Sequence, residues 1–158
     1  MKMTGVEMSI NEKSYQNKEV LDLLGRIYQE EMAGITRYLH YSFMIMGHNR
    51  IPIQSWFRSN ASESMGHATV IGEKITSLGG HPPMVAASTD ESNVHTVNQL
   101  LEESLSFEQK TIELYRELAQ VATRLEDIAL EELAREQVKA EVEHADEVRK
   151  MLRKPDAP

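Results

Sequence analysis

The 158-residue sequence contains no cysteine. Without a thiolate, the chain can form neither a disulfide framework nor a thiolate zinc site nor an iron–sulfur cluster. Proline and glycine are also scarce, with five and eight residues, and they cluster in the connections between periodic apolar segments. Aromatic residues make up only 6% of the chain, whereas 41% of it is hydrophobic. This composition favours a single domain built from packed helices.

Long apolar runs and an excess of basic residues are missing as well. No apolar run approaches the 18 residues that a membrane-spanning helix requires, and residues 1–11 contain no apolar signal core. The 17 basic residues are outnumbered by 25 acidic ones, which gives a net charge of −8. This charge disfavours nonspecific nucleic-acid binding and is compatible with attracting cations. We therefore expect a soluble cytoplasmic protein that has no membrane partner and does not bind nucleic acid.

Apolar residues recur in steps of three and four along four long segments, which predicts helices over 18–46, 52–78, 95–122 and 125–152. Asn17 is suited to cap the first of these helices. The segment 79–94 is too long for a tight turn and predicts a crossover along the bundle, with the second and third helices parallel. The predicted fold is all-α, an antiparallel four-helix bundle of two helical hairpins joined by a long crossover. Its predicted boundaries are a tail over 1–16, the bundle over 17–153 and a tail over 154–158.

Two helices carry a carboxylate paired with an imidazole. Glu141 and His144 are three residues apart on the fourth helix, so the two side chains share one helix face. Glu63 and His67 form a similar pair, four residues apart, on the second helix. A single pair of this kind often arises by chance in an acidic helix, so a metal site also requires ligands from the other two helices.

The first and third helices each place a carboxylate among apolar residues at core spacing. Glu31 has apolar or aromatic residues four and seven positions away on both sides, and Glu108 has similar neighbours. Glu30 instead has Arg26 and Arg37 at helical spacings, which indicates an ion-paired, solvated face. A carboxylate on a core face is costly unless it is paired, protonated or bound to a metal. Glu31, rather than Glu30, is therefore predicted to face the interior.

Together these residues match the ligand set of a di-iron or di-manganese carboxylate site in a four-helix bundle. Oxygen-rich ligation with two imidazoles suits iron or manganese better than copper. The predicted metal ligands are Glu31, Glu63, His67, Glu108, Glu141 and His144.

With these residues located, the chain resembles the bacterioferritin group of the ferritin-like superfamily over about residues 18–152. The matching stretches are 31–38, 63–68, 78–82, 108–115 and 141–144. The resemblance implies a ferroxidase that binds two Fe ions per subunit, oxidises Fe(II) with dioxygen or hydrogen peroxide, and stores or detoxifies the product. It also implies a homo-oligomer, either a dimer or a larger cage.

The motif match also implies a role for each ligand, with all four carboxylates forming the catalytic site. In that match the terminal ligands are Glu31 and Glu108, the imidazoles are His67 and His144, and the bridges are Glu63 and Glu141.

Two features depart from the family pattern. The family's first motif is Glu-x-x-His, whereas here Ser64 occupies the carboxylate position and Glu63 lies four residues before His67. A π-bulge near residues 65–66 would absorb the extra residue, whereas a regular helix would displace Glu63. In addition, only 14 residues follow His144, so we expect no fifth helix. This second departure favours a dimer or a 12-subunit cage over the 24-subunit cage.

Met65 precedes His67 by two residues and is rotated roughly 160° from it, so it is expected to point out of the bundle. In bacterioferritins a methionine at this position supplies the axial ligand of haem b at a dimer two-fold axis. The resemblance therefore implies haem binding by Met65. A flexible apolar residue that fills a dimer interface is the alternative interpretation.

Three functional hypotheses follow, with different predictions for the product. The first is the ferroxidase; the second is a di-metal peroxidase or oxidase, or a manganese catalase, on the same bundle. The third is a non-catalytic, DNA-protecting miniature ferritin. Tyr38 and Tyr115 are candidates to hydrogen-bond the ligands, although tyrosines at such positions are often simply core residues. The remaining histidines are expected on the surface; they are His40, His48, His81 and His95.

Overall fold

A computed structural model of the chain describes residues 18–155; the predicted tail 1–16, the predicted cap Asn17 and residues 156–158 lie outside the described residues. Within 18–155 there are four α-helices and no strand. The helices are α1 (Lys18–Met44), α2 (Arg50–Ser77), α3 (Val97–Arg124) and α4 (Ile128–Leu152). The predicted all-α four-helix fold is confirmed, with every helix end within three residues of the predicted position.

The helices form two hairpins, α1 with α2 and α3 with α4, and α1 also packs against α3. Short connections link the members of each hairpin, so the paired helices are antiparallel. At the end of α2, Gly79 has a φ of +74°, a left-handed conformation that glycine adopts without strain. The next residue, Gly80, then donates a backbone hydrogen bond to the carbonyl of Ile75 at 2.9 Å.

The crossover between α2 and α3 follows α1 from one end to the other. At its middle, the backbone N–H of Ala87 donates to the carbonyl of Gln29, near the middle of α1, at 2.9 Å. Near its end, His40 lies 2.7 Å from Glu91. The chain therefore enters α3 beside the carboxyl end of α1, and α3 runs parallel to α2, as the length of the crossover predicted.

The two helices of the second hairpin, α3 and α4, each begin at a side-chain cap. Thr96 accepts a hydrogen bond from the backbone N–H of Gln99 at 3.2 Å and starts α3. The buried Asp127 accepts from the backbone N–H of Leu130 at 3.0 Å and starts α4. Each cap satisfies one of the backbone donors that a helix leaves unpaired at its first turn.

Two apolar clusters fill the interior of the bundle, one above the other. The first contains buried residues toward the amino end of α1, among them Leu24, Ile27, Ile71, Leu118 and Leu130. The second lies toward the other end and contains, among others, Tyr38, Phe57, Leu101, Phe107 and Val148. The buried carboxylates stand between these clusters, so the fold places a polar layer at the middle of the bundle.

None of the four described helices combines the length and the apolarity that a membrane-crossing helix requires.

Candidate metal centre

The polar layer receives a side chain from every helix. Glu31 comes from α1, His67 from α2, Glu108 from α3 and Glu141 from α4. The three carboxylates are only 1–3% exposed. An α-helix repeats every 3.6 residues, so residues three, four and seven positions apart share one face. Each carboxylate therefore faces the same interior as the apolar residues that flank it.

These side chains form two adjacent groups that share one carboxylate. In each group, one donor atom per residue lies within 4.8 Å of the donor atoms of the other two. The first group is Glu31, His67 and Glu141, and the second is Glu108, Glu141 and His144. Nδ1 of His67 lies 2.8 Å from Oε1 of Glu141 and 3.5 Å from Oε1 of Glu31. Glu141 therefore occupies the position between two potential cation sites.

Two tyrosines hold the outer carboxylates in a reciprocal arrangement. The hydroxyl of Tyr115 on α3 donates to Oε1 of Glu31 on α1 at 2.7 Å. The hydroxyl of Tyr38 on α1 donates to Oε1 of Glu108 on α3. Both tyrosines are at most 1% exposed. Each tyrosine engages one oxygen of its carboxylate and leaves the second oxygen without a tyrosine partner.

The second oxygens of these carboxylates have no partner outside the polar layer. Apart from their contacts with one another and with Glu141, Oε2 of Glu31, Oε2 of Glu108 and Nδ1 of His67 are buried without a hydrogen-bond partner. An unpaired buried polar atom is costly, and three in one layer indicate groups arranged for a ligand rather than for folding stability. The donor set of carboxylate oxygens and imidazole nitrogens fits iron or manganese.

A proton shared by Glu108 and Glu141 offsets part of the buried charge. Burial, the hydrogen bond to Glu141 and the charges of Glu141 and Glu31 raise the pKa of Glu108 to about 11. Burial also acts to raise the pKa of Glu141, but hydrogen bonds from Glu108 and His67 outweigh it and lower that pKa. Glu108 is therefore the protonated donor and Glu141 the ionised acceptor.

His67 carries the compensating positive charge. Burial opposes its protonation, but hydrogen bonds to Glu141 and Glu31 prevail and raise the pKa of His67 to about 10. Burial raises the pKa of Glu31 as well, although its bond with His67 opposes that shift. Because metal ligands must be deprotonated, a cation bound here would displace protons from His67 and Glu108.

The structure does not bring Glu63 into either three-residue group. Helix α2 is regularly α-helical from residue 50 to 77, with no π-bulge near residues 65–66. Ser64 takes the buried position, whereas the Glu63 side chain is 42% exposed and its Oε2 lies 2.8 Å from Nε2 of His144. A bridging role for Glu63 stays a prediction, and it would require the side chain to turn away from His144 toward the centre.

Met65 lies on the outside of the bundle, as its rotation from His67 predicted, and is 56% exposed. A cavity of about 390 Å³ opens beside it on the α1–α2 face, lined in part by Tyr28 and Met32. Haem ligation by Met65 stays a prediction.

The interpretation of Glu30 as a solvated residue paired with Arg26 and Arg37 was wrong. Glu30 is only 8% exposed, and its Oε1 pairs at 2.5 Å with Nζ of Lys110 from α3. Arg37 instead donates to the hydroxyl of Tyr41 at 2.6 Å. Glu31 is nevertheless the residue that lies in the polar layer, in one group with His67 and Glu141.

Sequence reasoning missed a third group, formed by His40, Glu91 and His95, whose donor atoms also lie within 4.8 Å of one another. Two of these histidines were expected to be simple surface residues. Glu91 and His95 stand four residues apart, which was the available signal. The third member, His40, lies on α1, so the group depends on the path of the crossover.

Comparisons with known proteins agree with this geometry. A family model of the ferritin-like domain matches residues 21–157, whereas a search of curated protein sequences finds no significant match. A ferritin-like, diiron-carboxylate protein from Bacillus anthracis str. Ames is 26% identical, with a TM-score of 0.81 and coverage of 92% of this chain and 100% of that chain. A bacterioferritin from Desulfovibrio desulfuricans, solved with its diiron site in different catalytic states, is 20% identical, with a TM-score of 0.80 and coverage of 93% and 83%.

A dodecameric thioferritin from Bacteroides fragilis, described as bacterioferritin-related, is 22% identical. Its TM-score is 0.81, and the match covers 90% of each chain. The chain belongs to the ferritin family, with bacterioferritins, Dps proteins and diiron ferritin-like proteins among its structural neighbours.

Proposed function

We propose that this protein is a ferroxidase of the bacterioferritin type, which oxidises Fe(II) to Fe(III) for iron storage or detoxification. The observation that carries the proposal is the shared position of Glu141 between two buried groups of carboxylate and imidazole donors. A bundle that needed only stability would fill this layer with apolar side chains, because buried charges contribute little net stability.

In this proposal Fe(II) is the substrate, and each group holds one ion. Glu31 and His67 would bind the first ion, Glu108 and His144 the second, and Glu141 would bridge them. The two tyrosines keep Glu31 and Glu108 oriented, so their free oxygens need no rearrangement before binding. Three ionised carboxylates offset three of the four positive charges, and Glu63 would supply the fourth if it turned inward.

Pairing two ions supports the oxidation itself. Each Fe(II) gives up one electron, so the pair reduces dioxygen by two electrons, which with two protons yields hydrogen peroxide. With hydrogen peroxide as the oxidant, two electrons and two protons yield two waters. His67 and Glu108 release protons when the ions bind, and the apolar clusters on both sides of the layer limit the access of water.

We also propose that the chain assembles with copies of itself, as a dimer or a larger cage. Several large apolar side chains on the α1–α2 hairpin are exposed in the single chain, with Phe43 at 54%, Ile51 at 79% and Met65 at 56%. Exposed apolar side chains concentrated on one part of a surface are typical of an interface. A haem b bound between two copies of Met65 would lie at such an interface.

Stopped-flow oxidation of Fe(II) by dioxygen tests the proposed activity. Glu141→Ala removes the shared ligand, whereas Glu143→Ala removes an exposed carboxylate two residues away on the same helix. We expect Glu141→Ala to lose more than about 100-fold in rate, since even the outer-shell partners of metal ligands cost 10–100-fold. The Glu143→Ala variant should match the wild type. Equal rates in all three proteins, with helical circular dichroism unchanged, would refute the proposal.

The same samples separate ferroxidase from the alternative di-metal enzymes. A ferroxidase consumes Fe(II) and yields a ferric product, whereas a peroxidase or a manganese catalase turns over hydrogen peroxide without accumulating ferric product. Measuring peroxide turnover by manganese-loaded and iron-loaded protein therefore distinguishes these activities.

A further inference from the structure

Two histidines and a glutamate converge on the outside of the bundle, away from the polar layer. His40 comes from α1, Glu91 from the crossover and His95 from the residues just before α3. Nε2 of His40 lies 2.7 Å from Oε1 of Glu91, and Nε2 of His95 lies 2.8 Å from the same oxygen. The two imidazole rings are 6.1 Å apart between centroids. Two parts of the chain that are distant in sequence, α1 and the end of the crossover, thus present donor atoms to a single point.

The three side chains of this group are partly exposed to solvent. The side chains are 42%, 36% and 29% exposed for His40, Glu91 and His95. His40 and Glu91 line a cavity of about 190 Å³ to which Arg37 and Asp90 also contribute. Arg37 is the cation at this cavity, and its Nη1 is already engaged by the hydroxyl of Tyr41 at 2.6 Å and the carbonyl of Asp90 at 3.3 Å.

Glu91 has no lysine or arginine partner in the described part of the chain; its contacts are the two imidazoles. Hydrogen bonds from His95 and then His40 lower the pKa of Glu91, so the carboxylate stays ionised. Oε1 of Glu91 can accept a hydrogen bond from both imidazoles only if each Nε2 atom carries a proton. A cation at this point would replace those protons and would be bound by both Nε2 lone pairs and the carboxylate together.

Two imidazoles and one glutamate are a recurrent ligand set for divalent zinc and neighbouring metals, with further positions left open to water. We propose that His40, Glu91 and His95 bind a divalent first-row transition cation, which fastens the crossover to α1. The site shares no residue with the buried centre around Glu141, so the two can be removed separately.

Diffraction from crystals soaked in Zn²⁺, with data collected at the zinc absorption edge, tests the site directly. We expect an anomalous peak about 2.0–2.2 Å from Nε2 of His40 and of His95 and from the Glu91 carboxylate. Zinc at the buried carboxylates serves as the internal control for metal access. A map with peaks at the buried centre and none at this group would overturn the proposal.

Metal stoichiometry in solution provides a second test that does not depend on crystals. After equilibrium dialysis against Zn²⁺, His40→Ala and His95→Ala should each bind about one ion per chain fewer than the wild type. His48→Ala is the matched control, because it removes an exposed histidine that lies in the α1–α2 connection. Identical stoichiometry in all four proteins would contradict the assignment.

Hydrogen exchange tests the fastening of the crossover. The amide of Ala87 bonds to the carbonyl of Gln29 on α1 and reports on the contact between the two segments. Zn²⁺ should slow the exchange of crossover amides in the wild type and leave it unchanged in His95→Ala, because ligand binding suppresses local opening. Equal effects of Zn²⁺ on both proteins would show that the cation acts elsewhere.

Discussion

The protonated Glu108 makes the metal-free protein less stable as the pH rises, and Glu108→Gln should remove this residue's share of the pH dependence; the share from His67, whose pKa is also raised, should remain. Glu108 is 1% exposed, and burial together with its bond to Glu141 raises its pKa from 4.5 to about 11. Gln has the same shape, can still donate to Glu141, and can still accept from the hydroxyl of Tyr38. The substitution therefore removes the titration while it preserves the neighbouring contacts.

The sign and size of the effect follow from proton linkage. Between about pH 5.5 and pH 10 the folded chain holds a proton on Glu108 that the unfolded chain has released. The contribution of this group to the free energy of unfolding therefore falls by about 1.4 kcal/mol for each pH unit. From pH 6 to pH 8 the variant should gain about 2.7 kcal/mol relative to the wild type. For a chain of this size, the gain is about 5–11 °C in melting temperature.

Thermal unfolding at pH 6, 7 and 8 measures this difference, in the presence of a chelator and at a fixed protein concentration. Glu102→Gln, an exposed substitution on the same helix, should show no pH-dependent difference from the wild type. A difference between Glu108→Gln and the wild type that stays constant over this range would refute the assignment of the proton to Glu108.

Four further substitutions test the residue that orients Glu108, the packing of two glycines and the haem site. Tyr38→Phe removes the hydroxyl that orients Glu108, so stopped-flow Fe(II) oxidation should slow by about 10–100-fold, and an unchanged rate would count against that role. Gly34→Ala should destabilise the protein by about 1–3 kcal/mol in urea unfolding, because its Cβ would lie 2.8 Å from two neighbouring side chains. Gly66→Ala should instead stabilise α2 by about 0.5–1 kcal/mol, because within residues 18–155 nothing beyond its chain neighbours and its own helix backbone lies within 4 Å of the added Cβ. Similar effects at the two sites would contradict this reasoning. If Met65 binds haem, the protein should show a Soret band at about one haem per two chains. Met65→Leu should remove this band without slowing iron oxidation, and a spectrum unchanged by the substitution would leave Met65 only a packing role.

The sequence was sufficient to predict the burial of Glu31, Glu108 and Glu141 because helices are regular. Apolar residues at steps of three and four define the inner face of a helix, and a carboxylate on that face must share its environment. The same regularity predicted the exposure of Met65 from its rotation relative to His67.

Features that depend on contacts between distant segments could not be predicted from periodicity. Glu63 and Ser64 are adjacent on α2, and packing of Ser64 close to Gly34 accompanies the exposure of Glu63. Glu30 has suitable arginines at helical spacing, yet its partner is Lys110 on another helix. The meeting of His40 with the crossover likewise depends on the path of a segment without a regular period.

The direct test of the central claim is the iron anomalous signal from crystals loaded with Fe(II) under anaerobic conditions. We predict two peaks about 3.5–4 Å apart, as in other two-metal sites. One peak should contact Glu31 and His67, the other Glu108 and His144, and the Glu141 carboxylate should lie between them. A single peak, or none beside Glu141, would contradict the proposed two-iron centre.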